Sequence, residues 1–556
     1  MVKRTLLSVF AGLLGIMILF AAQASAASRY KIGSGNTVTA TPGVPRPNTT
    51  PCTVELFKDA EFDNFSPYDF QYTPPADCPG PWQKVVFTAN IYVTKGIQYD
   101  RTANFWLGST NIFFGTTAEP NPDLSPNWVV ESDLTDYTPL FETAQAGQAD
   151  IGNLVNNQYT GVIYASAELQ FYPLEKGGSA PRPFDQVLPL TTTPGTVTLN
   201  SGTDTLAQTF SLPVNVEGAY LDVYAQSQND DEFWYTCVPN NLSGELESCG
   251  NTAFRETEVT IDGQPAGVAP VYPWIFTGGI DPYLWFPLPG VQTLIFTPYR
   301  VNLTPFAGIL SNGQPHTVSL SVFNADDYFS ATATLLLNLD KNATQVTGDI
   351  IKNTLTAPNP QVQDKIVTHS NGDITGTVSV TSNRQFLISG YIEASGGKLK
   401  TTIQQSVDFS NVQAFDITSA AYVQDIEQVT SIETTTTQQT GKTTLVNTEQ
   451  ARYPLTVDIN VVLNSNGTEN QTTTVRQENY DNTSQLDNGV ETSWQLLDNL
   501  ENSTDDLEIS GAGSIIGNSG QLSSQQYTLY NSTGYCYDET LTAASNKLTS
   551  FGNGCQ

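Results

Sequence analysis

From Val85 onward the chain is a succession of short β-branched and aromatic runs separated by turn signals. Residues 85–93 (VVFTANIYV) form one run, and 161–171 (GVIYASAELQF) forms another that alternates polar and apolar in its second half. After a break at 176–181 (KGGSAP) a second series follows: 219–225 (AYLDVYA), 256–261 (ETEVTI), 318–323 (VSLSVF) and 331–339 (ATATLLLNL). Asp262-Gly263, directly after one of these runs, has the residue types of a tight hairpin turn. No stretch shows a convincing 3.6-residue period, so the pattern predicts an all-β chain of antiparallel sandwiches.

Composition shifts mark the borders. Residues 27–80 are rich in Pro, Gly and Thr and predict an extended N-terminal arm. The two strand series predict one domain at 81–195 and a second at 196–345. Beyond them Thr, Gln, Asn and Ser take over while strand runs persist, as in 385–392 (QFLISGYI), which predicts a third, β-rich region at 346–556. Its 434–445 segment (TTTTQQTGKTTL) fits a polar hairpin or a mobile loop.

The N-terminus is an address. Lys3 and Arg4 precede a nearly continuous apolar run from Thr5 to Ala22, and Ala24-Ser25-Ala26 is a small-residue cleavage site. Residues 1–26 therefore read as a secretory signal, which implies a secreted or periplasmic protein with no membrane segment after cleavage. The cysteines agree with export. Cys52, Cys78, Cys237, Cys249, Cys536 and Cys555 fall into three pairs close in sequence, so Cys52–Cys78, Cys237–Cys249 and Cys536–Cys555 are the expected disulfides.

Charge narrows the chemistry. There are 23 basic and 55 acidic residues, a formal net charge of −32. Nucleic acid and anionic lipid are poor partners for such a chain, because both are held by Lys and Arg. Only two histidines occur, His316 and His369. Histidine-rich zinc sites and His-based nucleophile activation are thus disfavoured, no metal or cofactor is expected, and acid/base work falls to carboxylates.

Four segments could carry it. Tyr99-Asp100-Arg101 sets an acid and a base among aromatics, a combination that can hold a sugar by its ring face and its hydroxyls. Asp230-Asp231-Glu232-Phe233-Trp234-Tyr235 abuts three carboxylates on three aromatics, which should raise at least one pKa. In Trp274-Ile275-Phe276-Thr277-Gly278-Gly279 the glycine pair admits close backbone approach. Glu119 ends a strand run within Thr116-Thr117-Ala118-Glu119-Pro120. Taken singly, each has a bland alternative: a loop ion pair, an acidic turn, a buried loop and a turn acid.

In order along the chain, these segments resemble a known family. YDRTANFWLGSTNIFFGTTAEP (99–120), AYLDVYAQSQNDDEFWYT (219–236), AFRETEVTIDGQPAGV (253–268), YPWIFTGGIDPYLW (272–285) and HTVSLSVFNA (316–325) look like the peptide:N-glycosidase A family. Residues 384–411 are similar to that family's C-terminal region, and the likeness covers about 80–410. A more distant likeness, to the peptide:N-glycosidase F type, rests on Asp-Arg-x-Ala-Asn and a later Asp-Glu-Phe. That resemblance implies two tandem antiparallel jelly-roll sandwiches with the site between them, followed here by the third region. It implies Asp100 and Glu232 as catalytic residues, with Arg101, Glu119, Asp231, Trp234, Trp274, Thr277 and Gly278 around the substrate. A further glutamate of the F type has no clear match; Ser166 falls there in a loose alignment, with Glu168 two residues on, and Glu119 is a substitute.

The implied reaction is hydrolysis of the amide between Asn and the innermost GlcNAc of an N-glycan, by a monomer acting on glycoproteins or glycopeptides. Two rivals are a non-catalytic carbohydrate-binding β-sandwich protein and a glycoside hydrolase cutting GlcNAc from GlcNAc. The acidic balance, with a pI near 4.1, adds the expectation of an acidic pH optimum.

Overall fold

A computed structural model of the chain describes residues 29–178, 180–441, 443–487 and 490–555; the expected leader at 1–26 lies outside the described residues. The architecture is nearly all antiparallel β, with two sandwiches and one long sheet.

The first sandwich pairs two four-stranded sheets. One runs Cys52–Phe62, Ile163–Pro173, Trp82–Val93, Asn127–Asp133; the other runs Tyr68–Tyr72, Gln145–Ile151, Thr102–Leu107, Thr110–Thr116. Phe87, Phe105, Phe113, Phe141 and Phe171 are fully buried between them. The expected arm is therefore shorter than 27–80. Leu56, Phe57, Phe62, Phe70 and Tyr72 enter the first core, so only the stretch before Cys52 is an extended strap. The surrounding Pro and Gly masked these two strands in the sequence.

The second sandwich has Val197–Leu199, Tyr328–Leu339, Val216–Gln228 and Tyr299–Asn302 in one sheet, with Gln186–Pro189 beside Tyr328–Leu339. Leu206–Ser211, Pro315–Phe323, Glu256–Ile261 and Gln264–Pro270 form the other. Asp262 (φ 51°) and Gly263 (φ 77°) make the two-residue turn that their residue types predict. Along the seam, Thr116 N–H donates to Thr293 O (3.0 Å) and Phe296 N–H to Phe114 O (2.8 Å). Gly115 is needed there: a Cβ would lie 2.4 Å from Leu294 O.

The third region is a twelve-stranded sheet. From Ile374–Ala394 to Lys547–Asn553 it is an unbroken series of antiparallel hairpins, with strands of up to 21 residues. The polar 434–445 segment belongs to one of these hairpins, where Thr440 pairs with Thr443. Alternation decides which face is covered. In Gly397–Ile417, Leu399, Ile403, Val407, Phe409 and Phe415 point to the second sandwich, and so do Gln405, Asn411 and Gln413. These amides are buried because they meet backbone and hydroxyl groups: Asn411 Nδ2 donates to Tyr235 O (2.9 Å), Gln413 Nε2 to Cys237 O (3.0 Å) and Gln405 Nε2 to Tyr299 Oη (3.0 Å). The strap runs across the outer end of the sheet, where Ala40 N–H donates to Gln525 Oε1 (2.8 Å), and on to the first sandwich, where Arg46 pairs with Glu131 (2.6 Å). All three expected disulfides are formed. No helix among the described residues is long and apolar enough to cross a membrane.

Where the long sheet meets the second sandwich, three carboxyls are buried. Burial pushes Asp498 up to about 7, Asp505 up to about 7 with help from the charge of Asp281, and Asp281 up to about 6. Each ionises less readily folded than unfolded, where a carboxyl titrates at about 4. Their stabilising contribution is intact below about pH 4 and is lost as the pH rises through about 7. The melting temperature is therefore expected to be higher at pH 5 than at pH 8, and Asp498→Asn should flatten the difference. Scanning calorimetry checks this, and a higher melting temperature at pH 8 would contradict it.

Candidate active site

Three loops meet at the seam between the sandwiches. The first carries Asp100 and Arg101 into the strand Thr102–Leu107; the second, 117–119, leaves the strand Thr110–Thr116; the third, 276–279, comes from the second sandwich. Hydrogen bonds fasten them together. Asp100 Oδ2 accepts from Gly278 N–H (2.8 Å), and the Asp100 N–H donates to Glu119 Oε2. Glu119 N–H donates to Thr277 Oγ1 (2.6 Å), and that hydroxyl donates to Thr117 O (3.0 Å). Arg101 N–H donates to Thr117 Oγ1 (2.8 Å), while Thr117 N–H donates back to Arg101 O (2.8 Å).

Glu232 arrives from the far side. The strand Val216–Gln228 ends in a single 3-10 turn, Asn229–Asp231, with Asn229 at φ 52°, and this turn swings Glu232 toward Asp100. The structure thus brings Asp100, Glu119, Glu232, Arg101, Thr277 and Gly278 into one constellation. Arg101 Nη2 donates to Gln98 Oε1 (2.6 Å), and the guanidinium lies over the Tyr99 ring at 5.7 Å. Its Nε is buried with no protein partner.

Electrostatics separate the three carboxyls. Burial pushes Asp100 up, against the lowering effects of the Gly278 N–H and of Arg101. Burial and the Asp100 charge push Glu119 up to about 9. The same two causes push Glu232 up to about 7. Because the charge of Asp100 is among the causes that raise both glutamates, Asp100 gives up its proton first and Glu119 and Glu232 hold theirs longer. One ionised carboxylate beside two neutral acids can accept a proton at one atom and give one at another.

Several expected contacts prove structural. Asp231 is fully buried and pairs with the equally buried Arg255 (2.8 Å), and its Oδ2 accepts from Asp326 N–H (2.8 Å) and Asp327 N–H (3.0 Å). It clamps the turn that aims Glu232 and cannot touch a substrate. Trp234 packs among core side chains toward Phe409 of the long sheet, and Trp274 lies 4.2 Å from the Phe296 ring; neither is exposed enough to wall a sugar pocket. The Thr277 hydroxyl is spent on Glu119 and Thr117, so Thr277 is a staple between loops. Ser166 and Glu168 lie in the opposite sheet of the first sandwich, where Ser166 Oγ accepts from Asp59 N–H (2.9 Å) and Glu168 from Gln170 (2.7 Å). The third carboxyl that the fold brings to Asp100 and Glu232 is Glu119. Sequence reasoning missed Gln98, Thr117 and Tyr159, whose ring lies 5.3 Å from that of the exposed Tyr99. Tyr159 is 60 residues from Tyr99, and no local signal announces it.

Gly278 is required for space. A Cβ there would lie 2.8 Å from Asp100 Oδ1 and 3.1 Å from Glu119 Oε2. Gly278→Ala is expected to cut kcat/KM by about a hundredfold or more, the scale of losing a positioned catalytic group, with little change in melting temperature. Steady-state kinetics beside thermal denaturation checks it, and near-normal turnover would contradict it.

Comparison with known proteins gives the family. A family model described as peptide N-acetyl-beta-D-glucosaminyl asparaginase amidase A matches residues 42–368. Peptide-N4-(N-acetyl-beta-glucosaminyl)asparagine amidase A of Prunus dulcis is 32% identical over 394 residues, covering 66% of this chain and 67% of the relative. Among solved structures, PNGase F from Flavobacterium meningosepticum aligns at 14% identity with a TM-score of 0.36, over 52% of this chain and 96% of its own. PNGF-II aligns at 14% identity with a TM-score of 0.37, over 52% of this chain and 66% of its own. With more than half of its length matched by the family model, and a relative of this identity and span, the chain belongs to the peptide N-acetyl-beta-D-glucosaminyl asparaginase amidase A family.

Proposed function

We propose that this protein is a secreted peptide:N-glycosidase that hydrolyses the amide between an Asn side chain and the innermost GlcNAc of an N-glycan. The single observation that carries the reading is the seam cluster itself, where loops of both sandwiches hold Asp100 against Glu119 and Gly278 with Glu232 close enough to be raised by the Asp100 charge. Amide hydrolysis needs a charged and a protonated carboxyl at once. Asp100 orients a water and takes its proton as the oxygen bonds to the carbonyl carbon. Glu232 gives its proton to the departing nitrogen, whose bond to that carbon breaks. Glu119 holds the Asp100 backbone in place, and the charge of Arg101 favours the ionised form of Asp100. The products are a glycosylamine and an Asp in the peptide. The three disulfides and the leader-like N-terminus support export.

Weighing the peptide product of a glycopeptide digest tests the reading. Asn converted to Asp is expected. A GlcNAc retained on Asn would indicate a glycoside hydrolase, and an unchanged glycopeptide a binding protein. Asp100→Asn should abolish turnover and leave the melting temperature close to that of the parent; near-normal turnover would sink the assignment.

The proton on Glu232 sets the pH limb. Its carboxyl is pushed up to about 7, so the donor form is lost as the pH rises through that value. Above it kcat/KM is expected to fall about tenfold per pH unit, which gives an acidic optimum. A pH–rate profile peaking at pH 7–8 or above would refute this.

A further inference from the structure

A cleft of about 1010 Å³ opens beside the catalytic constellation. One wall is the loop closed by Cys237–Cys249, together with Asn229 and Asp230; the other is the end of the long sheet at 417–424 and 459–471. The loop is fixed to the sheet by apolar packing of Val238, Leu242 and Leu246 against Phe415 and Val378. Tyr422 reinforces it, its hydroxyl donating to Leu246 O (3.3 Å). At the inner end stand Phe233, next to Glu232, and Ile280, two residues after Gly278. Phe233 Cε1 is 3.4 Å from the position a Gly279 Cβ would occupy, so the cleft and the catalytic loops share a wall.

We infer that this cleft is a subsite for the neutral outer arms of the substrate glycan, an inference that rests on the amidase reading above. Three observations favour that occupant. The cleft is at the upper end of the size of small-molecule sites, far more than one sugar ring needs. Its lining mixes hydroxyls and amides, such as Ser419 and Gln471, with apolar patches and the Tyr422 ring, matching the alternating polar edges and C–H faces of sugars. An extended peptide finds no strand edge to join. Gly397–Ile417, Ala421–Thr440 and Thr443–Leu463 are each paired on both sides, so their backbone groups are already used. Charge selects further. Asp230, Glu247 and Glu469 line the cleft and no Lys, Arg or His does, which disfavours anionic arms such as sialylated ones.

The experiment compares one peptide carrying three glycans: chitobiose alone, a neutral oligomannose and a sialylated glycan. The neutral glycan is expected to exceed chitobiose about tenfold in kcat/KM, through KM, because the added contacts bind substrate and transition state alike. Gln471→Ala should shrink that advantage severalfold and leave the chitobiose peptide's rate unchanged. Glu469→Lys should raise the rate on the sialylated substrate severalfold. Equal rates on all three glycans overturn the inference, and so does a Gln471→Ala defect that follows peptide length at fixed glycan, which would assign the cleft to the peptide. A chain that turns over none of the substrates fails the amidase reading instead, and a binding arm then decides the cleft. In that arm, free reduced oligomannose is titrated into the protein by calorimetry. Binding weakened severalfold by Gln471→Ala supports the subsite; no binding, or binding indifferent to Gln471→Ala, overturns it.

Discussion

Everything at the seam depends on keeping three carboxyl groups close together and away from water. Like charges in a poorly hydrated place repel and cannot all ionise readily, so Glu119 and Glu232 hold their protons longer once Asp100 is charged. Left to itself such a cluster would push its loops apart. It is held by neutral staples: Gly278 N–H on Asp100, the Asp100 N–H on Glu119, and the Thr277 hydroxyl between Glu119 and Thr117. Each staple joins different loops, and the Gly278 and Thr277 staples cross from one sandwich to the other. The geometry of the cluster is thus a property of the interface between the sandwiches.

The long sheet explains how that interface stays in place. Its covered face reaches the loops behind the cluster with side-chain amides and hydroxyls. Gln477 Nε2 donates to Pro273 O (2.7 Å) while its Oε1 accepts from Val291 N–H (2.8 Å), and Ser503 Oγ donates to Leu284 O (2.6 Å). These bonds span the segment that contains Thr277 and Gly278. Asn411 and Gln413 do the same for Tyr235 and Cys237, just after Glu232. A buried irregular loop must satisfy its backbone groups, and here the third region supplies many of the partners. The polar composition of that region has the same physical cause, because its covered face meets backbone polar groups as well as apolar core.

Acid runs through both site and scaffold. The carboxyls under the sheet, Asp281, Asp498 and Asp505, and the site acids Glu119 and Glu232 all hold protons better than free carboxyls do. Weak acid therefore keeps Glu232 protonated and the carboxyls under the sheet neutral by the same physics. The excess of acidic residues in the composition belongs with a protein whose working parts are organised around protonated carboxyls.

The period-two alternation and turn residues of the chain were sufficient for an all-β fold, because in-out alternation is a local property of an extended strand with one face covered. Proximity of the cysteines pointed to the three disulfides, since short loops close most readily. The ordered motifs named the family and pointed to Asp100, Arg101 and Glu232, which the fold brings to one seam. Tertiary structure decided the rest. Asp231 and Glu232 are adjacent in the same acidic run, yet one lies in the core against Arg255 and the other faces Asp100, because a single 3-10 turn points them in opposite directions. Trp234 and Trp274 have the composition of a sugar platform, but the long sheet and Phe296 cover them. Glu119 is a plain turn acid until the chain folds it against Asp100, and Tyr159 meets Tyr99 only because Thr160 N–H of its loop donates to Ile97 O of the other (2.8 Å). Which carboxyl keeps its proton, and which aromatic meets solvent, depends on groups tens to hundreds of residues away; no local pattern encodes that distance.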